Sequence, residues 1–208
     1  MPDGSGPGDV LFNRTGTNLV GVRINTSLID SFAVGENGRL KAALGSPFEA
    51  QGPGPFGSEF RPTNPTQLFV SNAHGGPEAG SVSAFKVTGD GALSSIGSSP
   101  FADHQTAPCW VEITHDGRFL FTTNTATGSV SRYAIEPNGS LELLGSTAFK
   151  TSGSAPVDAR LAPDGDTLFV VESGTHSVGG FAVDGGELSE LSSSPRRCPR
   201  AQRPSASW

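Results

Sequence analysis

The sequence predicts an all-β chain of about four four-stranded antiparallel units, the pattern of β-propeller blades. Three observations carry that expectation. The 208 residues include 28 Gly and 16 Pro, punctuation too dense for helices and suited to short strands joined by turns. No window shows an apolar stripe of 3.6-residue period long enough to build a helical solenoid. The stretch "HDGRFLFTTNTATGSVSRYAI", residues 115–135, alternates polar turns with apolar runs, and this grammar returns along the chain.

The register of the repeat is set by the aromatics. "SLIDSFAV", "GSVSAFKV", "GSVSRYAI" and "HSVGGFAV" align on Phe32, Phe85, Tyr133 and Phe181. The last two steps are 48 residues each and the first is 53. From Phe32 to Phe60, Phe85 to Ile113 and Tyr133 to Leu161 the distance is a constant 28. The five extra residues lie in the turns "RPTNPTQ" and "NAHGGPEAGS", where a repeated unit tolerates insertion. In each unit a first strand ends at "RTGT", "RPTNPT", "HDG" or "PDGD". The second strand is "NLVGVRI", "QLFVSN", "RFLFTTN" or "TLFVVES", and a third strand ends near the aromatic. The hairpin turn "ENGRL", "GDGAL", "PNGSL" or "DGGEL" then leads into a fourth. The units run over 9–52, 53–105, 106–153 and 154–195, between a flexible N-terminus at 1–8 and an irregular tail at 196–208.

Composition narrows the function classes. A net charge of −6 with scattered signs argues against a nucleic-acid surface, which needs a concentrated basic face. No apolar run approaches the ~20 residues of a membrane span, and "MPDGSGPGDV" lacks the n- and h-regions of a signal peptide. Cytoplasmic placement is the default expectation, with secretion of a longer parent left open. Cys109 and Cys198 form neither a disulfide framework nor a metal motif. His74, His104, His115 and His176 match no metal spacing, so neither metal nor cofactor is expected. With no base near Cys109 beyond His104, Cys109 reads as a partly buried structural thiol.

The combination "APDGDTLFVVESGTHSVGGFAVDGGEL" resembles the lactonase family of seven-bladed β-propellers, which includes 6-phosphogluconolactonase-like and carboxymuconate-lactonizing-enzyme-like proteins. The resemblance spans Asp9 to Pro195 and recurs in all four units. It implies a partial propeller, because a full member has seven blades and the next first-strand anchor falls at 209, one residue past the chain. The tail "RRCPRAQRPSASW" breaks the pattern. Spelled with GC-rich synonymous codons and read two nucleotides further on, it gives a stretch resembling the start of a blade in this family. The tail is therefore expected to be a frameshifted remnant, and its Arg196, Arg197, Arg200 and Arg203 an accident of translation.

Propellers bind small molecules where innermost strands and loops converge on the channel. Matching register positions give the candidates. Arg23, Asn72, Asn124 and Glu172 follow the second-strand anchors by three residues, and Glu59, Glu112 and Arg160 precede the first-strand anchors by one. Trp110 and Asp158 stand three before those anchors, where lactonizing members tend to carry His. Glu172 matches the acidic residue of the family's "V-N-E" stretch, so the resemblance implies a general acid or base there, with Arg160 as a cation. Arg23, Glu59, Asn72, Trp110, Glu112, Asn124 and Asp158 would contact a polar lactone or sugar acid. The plainer alternatives stay open: strand-end Asn commonly closes a turn with its own side chain, and Glu172 suits a solvated strand end.

The resemblance implies a metal-independent enzyme that hydrolyses or forms a lactone of a sugar acid or muconate-type acid. The alternatives are a non-catalytic ligand- or protein-binding propeller and an inactive truncated fragment. An incomplete ring leaves two blade faces bare. At ~400 Å² of apolar surface each and ~25 cal/mol per Å², each loses about 10 kcal/mol. Self-association through the open faces is expected.

Overall fold

The computed structural model describes residues 2–198. It contains four antiparallel sheets of four or five strands and no α-helix among the described residues, as the period requires. Each sheet is one blade, with neighbouring strands paired in chain order through short turns. Blade 1 is built from Pro7–Phe12, Asn18–Arg23, Leu28–Val34 and Leu40–Ala42. Blade 2 comprises Pro55–Arg61, Asn64–Asn72, Ser81–Val87 and Leu93–Ser95. Blade 3 comprises Pro108–Ile113, Phe119–Asn124, Ser129–Ile135 and Leu141–Ala148. Blade 4 comprises Pro156–Leu161, Thr167–Glu172, Ser177–Asp184 and Glu187–Glu190. No helix of the described residues is long and apolar enough to cross a membrane.

The turns form for the local reasons legible in the sequence. Asp116 accepts from the Arg118 amide and Asp164 from the Asp166 amide, and Gly117 and Gly165 follow at φ of 70° and 84°, a region costly for other residues. Two boundaries differ from expectation. Pro7 already pairs with Arg23, and Ser5 is buried, donating its hydroxyl to the Pro2 carbonyl, so order begins within the segment expected to be flexible. Arg196–Arg197, placed in the irregular tail, pair with Ser177 and Val178, as Phe48–Glu49 pair with Leu28 and Ile29 in blade 1. Residues 199–208, including Arg200 and Arg203, lie outside the described residues.

The core sits between blades rather than within one. Val20, Val22 and Ile29 of blade 1 pack with Phe60, Leu68, Val70 and Phe85 of blade 2. Phe69 and Val82 of blade 2 pack with Val111, Ile113, Leu120 and Tyr133 of blade 3. Phe121 and Val130 of blade 3 pack with Ala159, Leu161, Leu168 and Phe181 of blade 4. The same register positions meet each time, so the phase of the repeat is the phase of the core. Polar ties follow it: Asn18 Nδ2 donates to the Thr88 carbonyl and Gln67 Nε2 to the Pro137 carbonyl, each reaching the hairpin of the next blade.

Every first strand opens with proline, at an end where the missing N–H is tolerated. Each then carries a bulge at the same place, after Pro7, Pro55, Pro108 and Pro156. One inserted residue re-aims the side chains beyond it. Between blades 2 and 3 the two first strands approach so closely that a Cβ on Gly57 would lie 2.7 Å from the Cys109 carbonyl oxygen and 2.8 Å from Trp110 Cα. Both neighbours are backbone and cannot swing away. Replacing Gly57 with Ala is expected to lower stability by about 1–3 kcal/mol. Gly89→Ala, where nothing lies within 4 Å, should leave the urea midpoint almost unchanged, and comparing the two midpoints checks the assignment.

Candidate functional site

The sequence-derived candidates separate into two groups. Arg23, Asn72, Asn124 and Glu172 end the second strands, and their side chains turn inward to the third strand of their own blade. Asn72 Nδ2 donates to the hydroxyls of Ser81 and Ser83 at 3.0 and 2.9 Å. Asn124 Nδ2 donates to Ser129 and Ser131 at 3.1 and 2.8 Å. Arg23 forms a two-pronged ion pair with Asp30, with Nε 2.6 Å from Oδ2. Glu172 Oε2 accepts from Thr175 Oγ1 at 3.1 Å. These contacts make Arg23, Asn72 and Asn124 ties between the second and third strands, and Glu172 a tie to the turn that joins them, the turn-closing reading weighed for the two Asn residues.

Glu172 is not a solvated charge. It is fully buried, and burial pushes its pKa above the ordinary carboxylate value. Opposite it, where blades 2 and 3 carry Ser83 and Ser131, stands Gly179. A side chain at 179 would run into Glu172 Oε1. The longer Glu fills the space left by glycine, with its carboxyl turned into its own sheet.

The second group forms an arc on the four first strands, which stand side by side, one per blade. Asp9 of blade 1 accepts from the Ser58 amide at 3.1 Å and the Ser58 hydroxyl at 2.9 Å. Glu59 of blade 2 accepts from the Ile113 backbone of blade 3. Glu112 of blade 3 accepts from the Leu161 amide of blade 4 at 2.9 Å. A carboxyl group from each of blades 1 to 3 thus ties down the next first strand. The arc ends at Arg160, whose Nη1 lies 3.1 Å from Glu112 Oε2 while the rest of its side chain is exposed.

Electrostatics distinguishes the members of this arc. Burial, then the neighbouring Glu112 charge, pushes Glu59 up to about 9, so it is a neutral acid at pH 7. Glu112 is also raised by burial, opposed by the Leu161 amide and by Arg160. Oε2 of Glu59 is buried with no hydrogen-bond partner. Arg160 therefore presents a cation at the surface beside Glu112, within electrostatic reach of the proton-bearing Glu59 carboxyl.

Trp110 and Asp158 flank the arc: Trp110 is half-buried, its amide held by Thr123 Oγ1, and Asp158 is exposed. Cys109 is buried, and burial pushes its thiol up to about 11, leaving it protonated and unreactive at neutral pH. A hollow between blades 3 and 4, lined by His115, Asp116, Asp164 and Asp166, went unnoticed in the sequence. Its aspartates Asp116 and Asp164 are engaged in turns, so it offers fewer free groups than the arc. No group of three or more His, Cys, Asp or Glu among the described residues is arranged to hold a metal ion.

The sequence model of the family described as "Lactonase, 7-bladed beta-propeller" matches residues 59–202. No curated protein sequence matches the chain. Among solved structures, the periplasmic gluconolactonase of Pseudomonas aeruginosa superposes with a TM-score of 0.74 at 21% identity, over 92% of this chain and 57% of that one. A candidate 6-phosphogluconolactonase of Bacteroides fragilis gives 0.73 at 22%, over 92% and 57%, and one of Bacteroides uniformis gives 0.74 at 18%, over 89% and 53%. The chain spans little more than half the length of these structures, and at such identities the likeness is one of fold.

The Glu59 carboxyl makes stability depend on pH. Its folded-state pKa of about 9 lies above the ordinary 4.5, so its contribution is complete below about pH 4.5 and is lost as pH rises through about 9. Glu59→Gln is expected to flatten that decline, with its largest stabilisation relative to the parent at the alkaline end. Urea midpoints measured from about pH 5 to about pH 9.5 check the sign.

Proposed function

Since the chain belongs to the lactonase family of seven-bladed β-propellers, we propose that it acts on the lactone of a sugar acid, at the carboxylate arc on its first strands. The observation that carries this reading is an exposed Arg160 paired with Glu112, within electrostatic reach of a Glu59 carboxyl whose pKa is raised to about 9. Arg160 is suited to hold an anionic group of the substrate or the oxygen charge that builds up as the carbonyl is attacked. Glu112, buried and ion-paired to Arg160, positions that guanidinium and makes no contact with substrate.

In hydrolysis, water adds to the lactone carbonyl and the ring C–O bond breaks. Glu59 gives its proton to the departing ring oxygen, and its carboxylate then takes back the proton released by the attacking water. The net change is addition of one water. No step needs an added oxidant or metal. The likeness to gluconolactonase and 6-phosphogluconolactonase structures supports a six-carbon aldonolactone, with or without a phosphate, as substrate class. A non-catalytic ligand-binding role is the second reading, favoured by the structural use that Asp9 and Glu112 already have as ties between blades.

Assays on gluconolactone and its 6-phosphate separate the two. Glu59→Gln is expected to lower kcat by ~10²-fold or more, and Arg160→Met to raise KM with the anionic substrate most affected. Saturable binding of either compound without hydrolysis by the parent chain would establish the second reading instead.

A further inference from the structure

The seam between blades 2 and 3 is closed at its hairpin end by one guanidinium. Arg61 directly follows the first-strand anchor Phe60 and is buried. Its Nε donates to the Gly117 carbonyl at 2.7 Å, its Nη1 to the Glu136 carbonyl at 2.9 Å and its Nη2 to the Ile135 carbonyl at 3.2 Å. A further bond, from Nη1 to Gln67 Oε1 at 2.9 Å, stays within blade 2. The acceptors in blade 3 lie on its first turn and at the start of its last hairpin. Backbone bonds fix them there: the Gly117 amide donates to the Thr114 carbonyl, and the Ile135 amide to the Arg118 carbonyl.

The seam between blades 3 and 4 repeats these acceptors, with a threonine in place of the arginine. In blade 4 the Gly165 amide donates to the Ala162 carbonyl and the Val183 amide to the Asp166 carbonyl. Gly165 and Val183 therefore stand where Gly117 and Ile135 stand in blade 3. At the register position of Arg61, blade 3 carries Thr114, whose hydroxyl turns back to Asp116 of its own turn at 2.7 Å. The hollow between blades 3 and 4, of about 250 Å³, lies here, lined by Thr114, Gly165 and Val183 with Asp116, Asp164 and Asp166. Phe119, at the position of Gln67, adds an aromatic ring to its wall. Arg118 also borders it, but that side chain is largely exposed and spends its Nε on Asp116 Oδ2 at 2.6 Å. Asp166 is the blade 4 counterpart of Arg118, so the charge at that position is reversed.

We propose that this hollow binds a guanidinium group brought from outside the fold, on a small molecule or on the arginine side chain of a peptide. The Gly165 and Val183 carbonyls then take the roles that Gly117 and Ile135 play for Arg61, while Asp164 and Asp166 supply the opposing charge. A planar cation with five donors in a fixed fork suits acceptors spread over a turn and a hairpin, and its face can lie on the Phe119 ring. A compact ammonium reaches fewer of them. The molecule itself shows what such a seam holds, because Arg61 fills the matching place one blade earlier. None of Glu59, Glu112 and Arg160 lines the hollow, so the site stands apart from the carboxylate arc and from the reaction proposed there.

Isothermal titration calorimetry on the full chain tests this, with methylguanidine and a capped Gly-Arg-Gly peptide as probes and methylammonium and capped Gly-Lys-Gly as their counterparts. Both guanidinium probes are expected to bind at one site with Kd of about 1 mM or tighter, and each ammonium counterpart at least about tenfold more weakly. Methylguanidine binding as tightly as the peptide assigns the site to small guanidine compounds. A preference of about tenfold for the peptide assigns it to an arginine side chain. Thr114→Arg, which copies Arg61 into the hollow, should abolish binding and raise the urea midpoint. Asp166→Asn, at an exposed side chain, should weaken binding about tenfold, and it decides the matter even where Thr114→Arg does not fold. The inference is overturned by the absence of saturable binding of both guanidinium probes up to about 20 mM. Equal binding of the ammonium counterparts also overturns it, as does binding that Asp166→Asn or a folded Thr114→Arg leaves unchanged.

Discussion

A β-sheet of four strands has two faces, and a blade of this chain has too little material to cover either with its own side chains. The whole structure follows from that shortage. Val20, Phe69 and Phe121 are buried because the first strand of the following blade lies over them, with Phe60, Ile113 and Leu161 completing the seam. Stability therefore resides in the seams, roughly one per neighbouring pair, much as in other repeat architectures. Polar contacts reinforce the seams at both ends: carboxylates on the first strands at one end, and side chains of the second strands reaching the next hairpin at the other.

The carboxylates that hold adjoining first strands are also the groups with the most chemical potential. Glu112 lies near enough to Glu59 in a shielded place that its charge resists the ionisation of Glu59, and Arg160 compensates only Glu112 at contact distance. Holding a proton at neutral pH is a liability for stability in alkali and an asset for proton transfer. One arrangement thus accounts for both the tie between strands and the acid. The bulge next to Asp9, Gly57, Trp110 and Asp158 belongs to the same arrangement, because the inserted residue sets which side chains of the first strand turn toward the arc.

The blades were legible in the sequence because their signals are local. Turn residues, the alternation within strands and the recurring aromatic at Phe32, Phe85, Tyr133 and Phe181 fix strand number and order without knowledge of the fold. The site was legible in part. Glu59, Glu112 and Arg160, which share a register position, lie on adjoining first strands, since one position of a repeat maps to one place on the ring. Asn72, Asn124, Arg23 and Glu172 share a register position too, and that equivalence held, but its direction did not. Whether a strand-end side chain faces the axis or its own hairpin depends on partners five and seven residues on, such as Ser129 and Ser131. For Glu172, the expectations of a general acid or base and of a solvated strand end both leave out its burial, for which the absent side chain at Gly179 makes room. In the tail, backbone pairing extends Arg196–Arg197 along the third strand of blade 4, a contact to which side-chain pattern gives no clue.

The exchange at positions 172 and 179 shows how a molecule made of copies can diversify. In blade 3 an amide meets a serine, and in blade 4 an acid meets an empty glycine. Neither change fits without the other, for a lone acid would collide with the serine and a lone glycine would leave a hole. Because each such couple is sealed inside one sheet, a copy can be rewritten without disturbing its siblings, provided that the rewriting comes in matched halves. Duplicated folds of this kind accumulate internal variety pair by pair, while the contacts shared between copies stay under common restraint.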